Sequence, residues 1–141
     1  MRDEWLEIVE DVRGKPFQWG ARGPGAFDCW GLVLHVLYRL GKTGMPDWEP
    51  PVEVEGVARV LQRQQKLAQD AAHLPPGWIK VDTPAPGDIV AMGTTPLATH
   101  AGVWTPFGVL HVSEGMGVIV SSLRYLQTVR LQVHGYYRWE G

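Results

Sequence analysis

The sequence predicts an α+β fold with N-terminal helices packed on a largely antiparallel β-sheet, and two observations carry the prediction. Up to about residue 73 the apolar residues recur at helical spacing, whereas from Trp78 onward short runs rich in β-branched and aromatic residues alternate with Gly, Pro, Ser and Thr. Helices first and strands afterwards indicate a sheet that carries its helices on one side. The 141 residues, 45% hydrophobic and 20% charged, suit one globular domain spanning 1–141.

Asp3 to Arg13 places Trp5, Ile8, Val9 and Val12 on one face with acids and Arg13 opposite, a short amphipathic helix closed by Gly14. The stretch from Lys15 to Gly20 then leads into a loop whose Gly20, Gly23 and Gly25 allow backbone conformations that other residues resist. A second helix follows Asp28–Cys29, with Leu32, Val33, Val36, Leu37 and Leu40 on its buried face and Gly41 as its stop. Beyond the proline-rich connection Met45–Pro51, a third helix is expected from Val54 to Ala72. There Val57, Val60, Leu61, Leu67 and Ala68 run in phase and Gln62 to Lys66 form the solvated side. The expected strands are Trp78–Val81, Asp88–Met92, His100–Trp104, Val109–Val112, Val118–Val120 and Leu131–Trp139, with Leu123–Leu126 as one helical turn.

A net charge of −2 gives no electrostatic footprint for nucleic acid, and no apolar run has the length to cross a bilayer. The N-terminus is charged and amphipathic, so no signal peptide is expected and synthesis is expected to begin in the cytoplasm. A single cysteine excludes an internal disulfide and cannot by itself build a thiolate zinc site; neither metal nor cofactor is expected.

That cysteine, Cys29, falls in the first turn of the second helix. Unpaired backbone N–H groups and the positive end of the helix dipole favour a thiolate there, the form that attacks carbonyl carbon. Most lone cysteines are nevertheless small buried hydrophobes. Histidine is the usual partner of a catalytic thiol. Of the five histidines, His35 lies off the face of Cys29 within its helix, His73 precedes Pro75–Pro76, and His134 sits between Val133 and Gly135; all three read as packed or solvated. His100 and His111 differ, because antiparallel pairing of Thr99–Trp104 with Val109–Val112 across the Pro106–Gly108 turn would let His111 orient His100. Two neighbouring histidines on a sheet are, even so, more often structural than catalytic.

Five stretches in order, Pro16–Gly20, Phe27–Asp28–Cys29–Trp30–Gly31–Leu32–Val33, Pro86–Val90, His100–Ala101–Gly102–Val103–Trp104 and His111–Val112, resemble the motifs of the NlpC/P60 cysteine peptidases. The Asp–Cys–Trp–Gly–Leu–Val version is most similar to the branch found in tail-assembly proteins of phages, prophages and gene transfer agents. The resemblance implies a papain-like core and cleavage of peptidoglycan stem peptides beside γ-D-glutamyl residues, at the tail tip, with neighbouring tail-tip proteins as partners. It also implies Cys29 as nucleophile, His100 as general base and His111 as the residue that orients His100. Asp28 matches an acid that helps bind the free amine of a stem peptide.

Two departures from the family pattern stand out. Phe17 replaces a tyrosine whose hydroxyl assists at the substrate carbonyl, and Trp30 replaces a serine. Losing one oxyanion donor costs about a hundred- to a thousand-fold in rate, leaving the Cys29 N–H, the Gln18 amide and the Trp19 indole as candidate replacements. With Phe17, Gln18, Trp19, Trp30 and Asp28 expected at the substrate, two alternatives stay open. One is a tail-tip component that binds without cutting; the other is a thiol amidase or acyltransferase on another acyl substrate.

Overall fold

The computed structural model describes residues 2–45, 77–93 and 100–141. The helix expected over 54–72, most of the 45–51 connection and His73 lie outside the described residues.

Helix α1 (Arg2–Val12) buries Trp5, Ile8, Val9 and Val12, the stripe its 3.6-residue spacing predicts. Helix α2 (Cys29–Arg39) is capped by Asp28, whose side chain accepts the Gly31 N–H at 2.6 Å, and buries Leu32, Val33, Val36 and Leu37. Six strands follow: β1 (Trp78–Val81), β2 (Ile89–Gly93), β3 (His100–Thr105), β4 (Gly108–Ser113), β5 (Gly117–Ser121) and β6 (Gln132–Trp139). They form one antiparallel sheet in the order β1-β6-β2-β3-β4-β5. Between β5 and β6 the expected single turn is a longer helix, α3 (Leu123–Thr128), because the Ser122 hydroxyl accepts the Tyr125 N–H at 3.0 Å and caps it.

The buried faces of α1 and α2 meet Ala101, Val103, Leu110, Val112 and Val118 in the main core. Alternation along the strands sends Val90, Met92 and Val109 to the other face, where Leu126 of α3 covers them. Helices thus lie on both sides of the sheet rather than one, since α3 fills the second apolar face. At the start of β2, the buried Asp88 is clamped by Arg138 of the neighbouring β6 through Nε–Oδ1 and Nη2–Oδ2 bonds of 2.7 and 2.8 Å.

One irregularity of the sheet positions His100 and His111. The β3–β4 pairing covers only Val103–Thr105 against Gly108–Leu110, whereas β3 continues back to His100 along β2 and β4 runs on to Ser113 along β5. The two strands therefore part, and residues 100–102 and 111–113 line the resulting fork.

Candidate active site

The loop before α2 folds back on itself. Gln18 N–H bonds to Phe27 O, Phe27 N–H to Pro16 O and Asp28 N–H to Ala21 O, all at 3.0–3.1 Å, around the fully buried Phe27 ring. Asp28 ties this loop to the helix: its Oδ1 accepts from Arg22 Nη1 and Gly31 N, each at 2.6 Å, and its Oδ2 from Gly20 N at 3.1 Å. Gly31 is required because a Cβ there would overlap the Ala21 carbonyl oxygen. The arrangement fixes Cys29 at the first position of α2.

The fork supplies the other half. Trp104 N–H bonds to Asp88 O at 2.8 Å, on the β2 side, so strand alternation turns the N–H of Ala101 toward β4, where pairing has already ended. That freed N–H is directed to the Cys29 thiol. The nucleophile is thereby held beside the peptide that carries His100, while no hydrogen bond joins the thiol to the imidazole among the described residues. Resting geometries of such pairs are often loose and tighten on substrate binding. Across the fork, His100 Nε2 lies 2.9 Å from His111 Nδ1, and His111 Nε2 lies 2.8 Å from Ser121 Oγ. The His100–His111 contact engages Nε2 of His100 and leaves Nδ1 outside that pair. Gly102 makes the approach possible: a Cβ there would sit 2.8 Å from Leu110 O and 3.0 Å from His111 Cβ.

Electrostatics keep this set neutral. Burial pushes the Cys29 thiol up to about 11, the Asp28 carboxylate adds to that, and the Ala101 and Trp30 N–H groups and Arg22 oppose it. Cys29 and His100 are each half-buried. Burial, then the neighbouring His111, brings His100 down to about 3, and burial brings His111 down to about 4. The thiolate expected from the helix terminus is therefore not the resting form. A helix end is worth about 0.3–1 kcal/mol, less than the cost of taking a thiolate out of water. At neutral pH the thiol and the imidazole are both neutral, and the chemistry open to such a pair is general-base attack, the proton leaving sulfur as the new bond forms.

The profile of the NlpC/P60 family matches residues 14–134, nearly the whole chain. The chain belongs to the NlpC/P60 family. It is 33% identical over 108 residues to a probable endopeptidase of Corynebacterium glutamicum, covering 74% of this chain and 41% of that protein. It is 25% identical over 111 residues to the probable endopeptidase p60 of Listeria grayi, covering 78% of this chain and 17% of that one. The chain thus spans about two fifths or less of these curated relatives. Among solved structures it is similar in fold to the NlpC/p60 domain of the peptidoglycan hydrolase SagA, with a TM-score of 0.57, 19% identity and coverage of 94% and 96% of the two chains. NlpC1 from Trichomonas vaginalis gives 0.61 at 19% identity, over 98% of this chain and 44% of that one.

Within this NlpC/P60 chain, His100 and His111 meet at the fork, and the backbone N–H of Ala101 reaches the Cys29 thiol. Of the residues expected at the substrate, Phe17 and Trp19 form an edge-to-face pair with ring centres 5.4 Å apart, Trp19 and Gln18 being exposed. The Trp30 ring lies 6.1 Å from that of Trp78, which in turn lies 4.9 Å from Trp139, so Trp30 contributes to an aromatic stack beside the site. Of the remaining described histidines, His35 packs edge-on against Phe27 and His134 is half-buried on β6. Sequence reasoning missed Ser121, Arg22 and Gly102. Ser121 lies two residues beyond Ile119, which faces His111 in register, so it shares the face of His111; that signal becomes readable only once β4 and β5 are paired.

Proposed function

We propose that this NlpC/P60 domain is a cysteine endopeptidase that hydrolyses amide bonds of peptidoglycan stem peptides, next to γ-D-glutamyl residues. The observation that carries the reading is the fork, where Cys29 at a helix start is held by Ala101 N–H beside the His100–His111 pair. Cys29 Sγ attacks the amide carbonyl carbon while His100 Nδ1 takes the thiol proton. His100 then gives that proton to the leaving amine, and a water deprotonated by His100 releases the acyl group from sulfur. The Cys29 N–H, which helix geometry leaves without an intrahelical partner, is the donor best placed to meet the developing oxyanion, because Phe17 has none to offer.

The relatives named as endopeptidases, and a fold neighbour described as a peptidoglycan hydrolase, support this substrate class. The Asp28–Cys29–Trp30–Gly31–Leu32–Val33 motif supports a narrower reading as well: a phage tail-tip enzyme that opens the cell wall alongside neighbouring tail proteins. Incubation of the purified protein with defined muropeptides, read by mass spectrometry beside Cys29→Ala, tests the activity. Wild-type cleavage at the γ-D-glutamyl bond that Cys29→Ala abolishes is the expected result. Equal cleavage by both proteins, or none by either, rejects the reading. Quantitative proteomics of purified particles tests the tail location, which requires the protein in the particle at a fixed ratio to the tail proteins.

A further inference from the structure

We propose that Ser121 is a positioning residue: its hydroxyl accepts the His111 Nε2–H and thereby keeps the Nδ1 lone pair of His100 available to Cys29. The inference deepens, and rests on, the reading of this site as a cysteine peptidase. Ser121 is 2% exposed, and its hydroxyl lies 2.8 Å from His111 Nε2, at the end of a chain whose next link is the 2.9 Å contact of His111 Nδ1 with His100 Nε2.

A neutral imidazole carries one ring proton, so this chain has two self-consistent states. In the first, His100 Nε2–H donates to His111 Nδ1, His111 Nε2–H donates to Ser121 Oγ, and His100 Nδ1 is a bare acceptor. In the second, Ser121 O–H donates to His111 Nε2, His111 Nδ1–H donates to His100 Nε2, and His100 Nδ1 carries the proton. Only the first state leaves His100 Nδ1 able to accept a proton. When His100 accepts the thiol proton, both of its nitrogens become donors. Nε2–H must then find an acceptor in His111 Nδ1, which obliges His111 to carry its own proton on Nε2 and Ser121 to accept it.

Deleting the hydroxyl makes the productive state costly. Without Ser121 Oγ the first state buries an unpaired N–H, whereas the second buries only an unused lone pair, and the orphaned donor is the more expensive defect. Ser121→Ala therefore tips the pair toward the state in which His100 cannot act as a base. The hydroxyl touches neither substrate nor thiol in this account, so its removal lowers kcat and leaves KM alone.

Long-range 1H–15N correlation spectra of uniformly labelled protein read the tautomers directly. The expected wild-type result is His111 protonated on Nε2. Ser121→Ala should move that proton to Nδ1 and lower kcat on muropeptides roughly ten-fold at unchanged KM, the effect of one unpaired buried donor. Ser121→Thr, which restores the hydroxyl, should recover both readouts. Wild-type His111 protonated on Nδ1 overturns the proposal, as does a folded Ser121→Ala with wild-type tautomers and kcat. Should Ser121→Ala fail to fold, the wild-type tautomer alone decides. Absence of muropeptide turnover in wild type would count against the peptidase reading, and the tautomer measurement would still decide the role of Ser121.

Discussion

At the scale of single residues, the state of Cys29 follows from a contest between a helix terminus and burial, and burial wins. With the thiol pushed up to about 11, its alkylation by iodoacetamide should be slow at neutral pH and rise steeply on the alkaline side, well past the 8.5 of free cysteine. A rate profile with its midpoint at or below that value would show a preformed thiolate. The second residue-scale prediction concerns Phe17. Its ring packs against the main core and meets Trp19 edge-on, so Phe17→Tyr keeps the aromatic body and adds a donor. If that hydroxyl reaches the developing oxyanion, turnover should rise by up to about a hundred-fold. Unchanged turnover in a variant with the wild-type melting temperature would place Phe17 away from the oxyanion.

At the scale of elements, the fork between β3 and β4 is what builds the site, and Gly102 lets its two sides approach closely. Gly102→Ala would press a methyl group against Leu110 O and His111 Cβ, so it should cost about 1–3 kcal/mol of stability and break the His100–His111 contact. Urea unfolding and the imidazole NMR signals check both effects; wild-type values in each would mean the strands have slack. Most of the elements were legible in sequence because each strand is short, β-branched and bounded by turn residues, as with Val118–Val120 inside β5. The α2 start was legible from Asp28 and the apolar stripe behind it. The placement of α3 on the second face was not, because one apolar turn does not say which side of a sheet it covers. The motifs single out Cys29, His100 and His111, and the meeting of His100 with His111 was legible from the pairing of their two segments. Ser121 and Arg22 were not, since their partners lie across a strand pair and across the loop that ends at Asp28, and no local pattern encodes those meetings.

At the scale of the whole molecule, the same burial that keeps the histidines neutral makes stability depend on pH. His100 and His111 titrate at about 3 and about 4 in the folded chain but near 6.5 when unfolded, so the unfolded chain gains protons first as the pH falls. Their contribution is fully present above pH ~6.5 and is lost as the pH falls toward about 3–4. Asp88 adds a loss at lower pH: burial raises its carboxyl, but the Arg138 and Ala85 hydrogen bonds outweigh that and hold it below the ordinary value. Melting temperature followed from pH 7 to 2 should therefore fall in two overlapping stages, the first beginning near pH ~6.5 and flattened by His111→Gln, the second beginning below the ordinary Asp value of 3.8. Asp88→Asn should flatten the second while costing about 2 kcal/mol at neutral pH. A melting temperature that is constant down to pH 4 would contradict the buried neutral pair. The central claim, that the fork performs acyl transfer through sulfur, is tested most directly by rapid quenching of the protein with a defined muropeptide followed by mass spectrometry of the intact chain. The account predicts a transient mass increase equal to the acyl part of the stem peptide, located on Cys29, labile to hydroxylamine and absent from Cys29→Ala. Cleavage that proceeds without any such adduct, or an adduct on another residue, would contradict it.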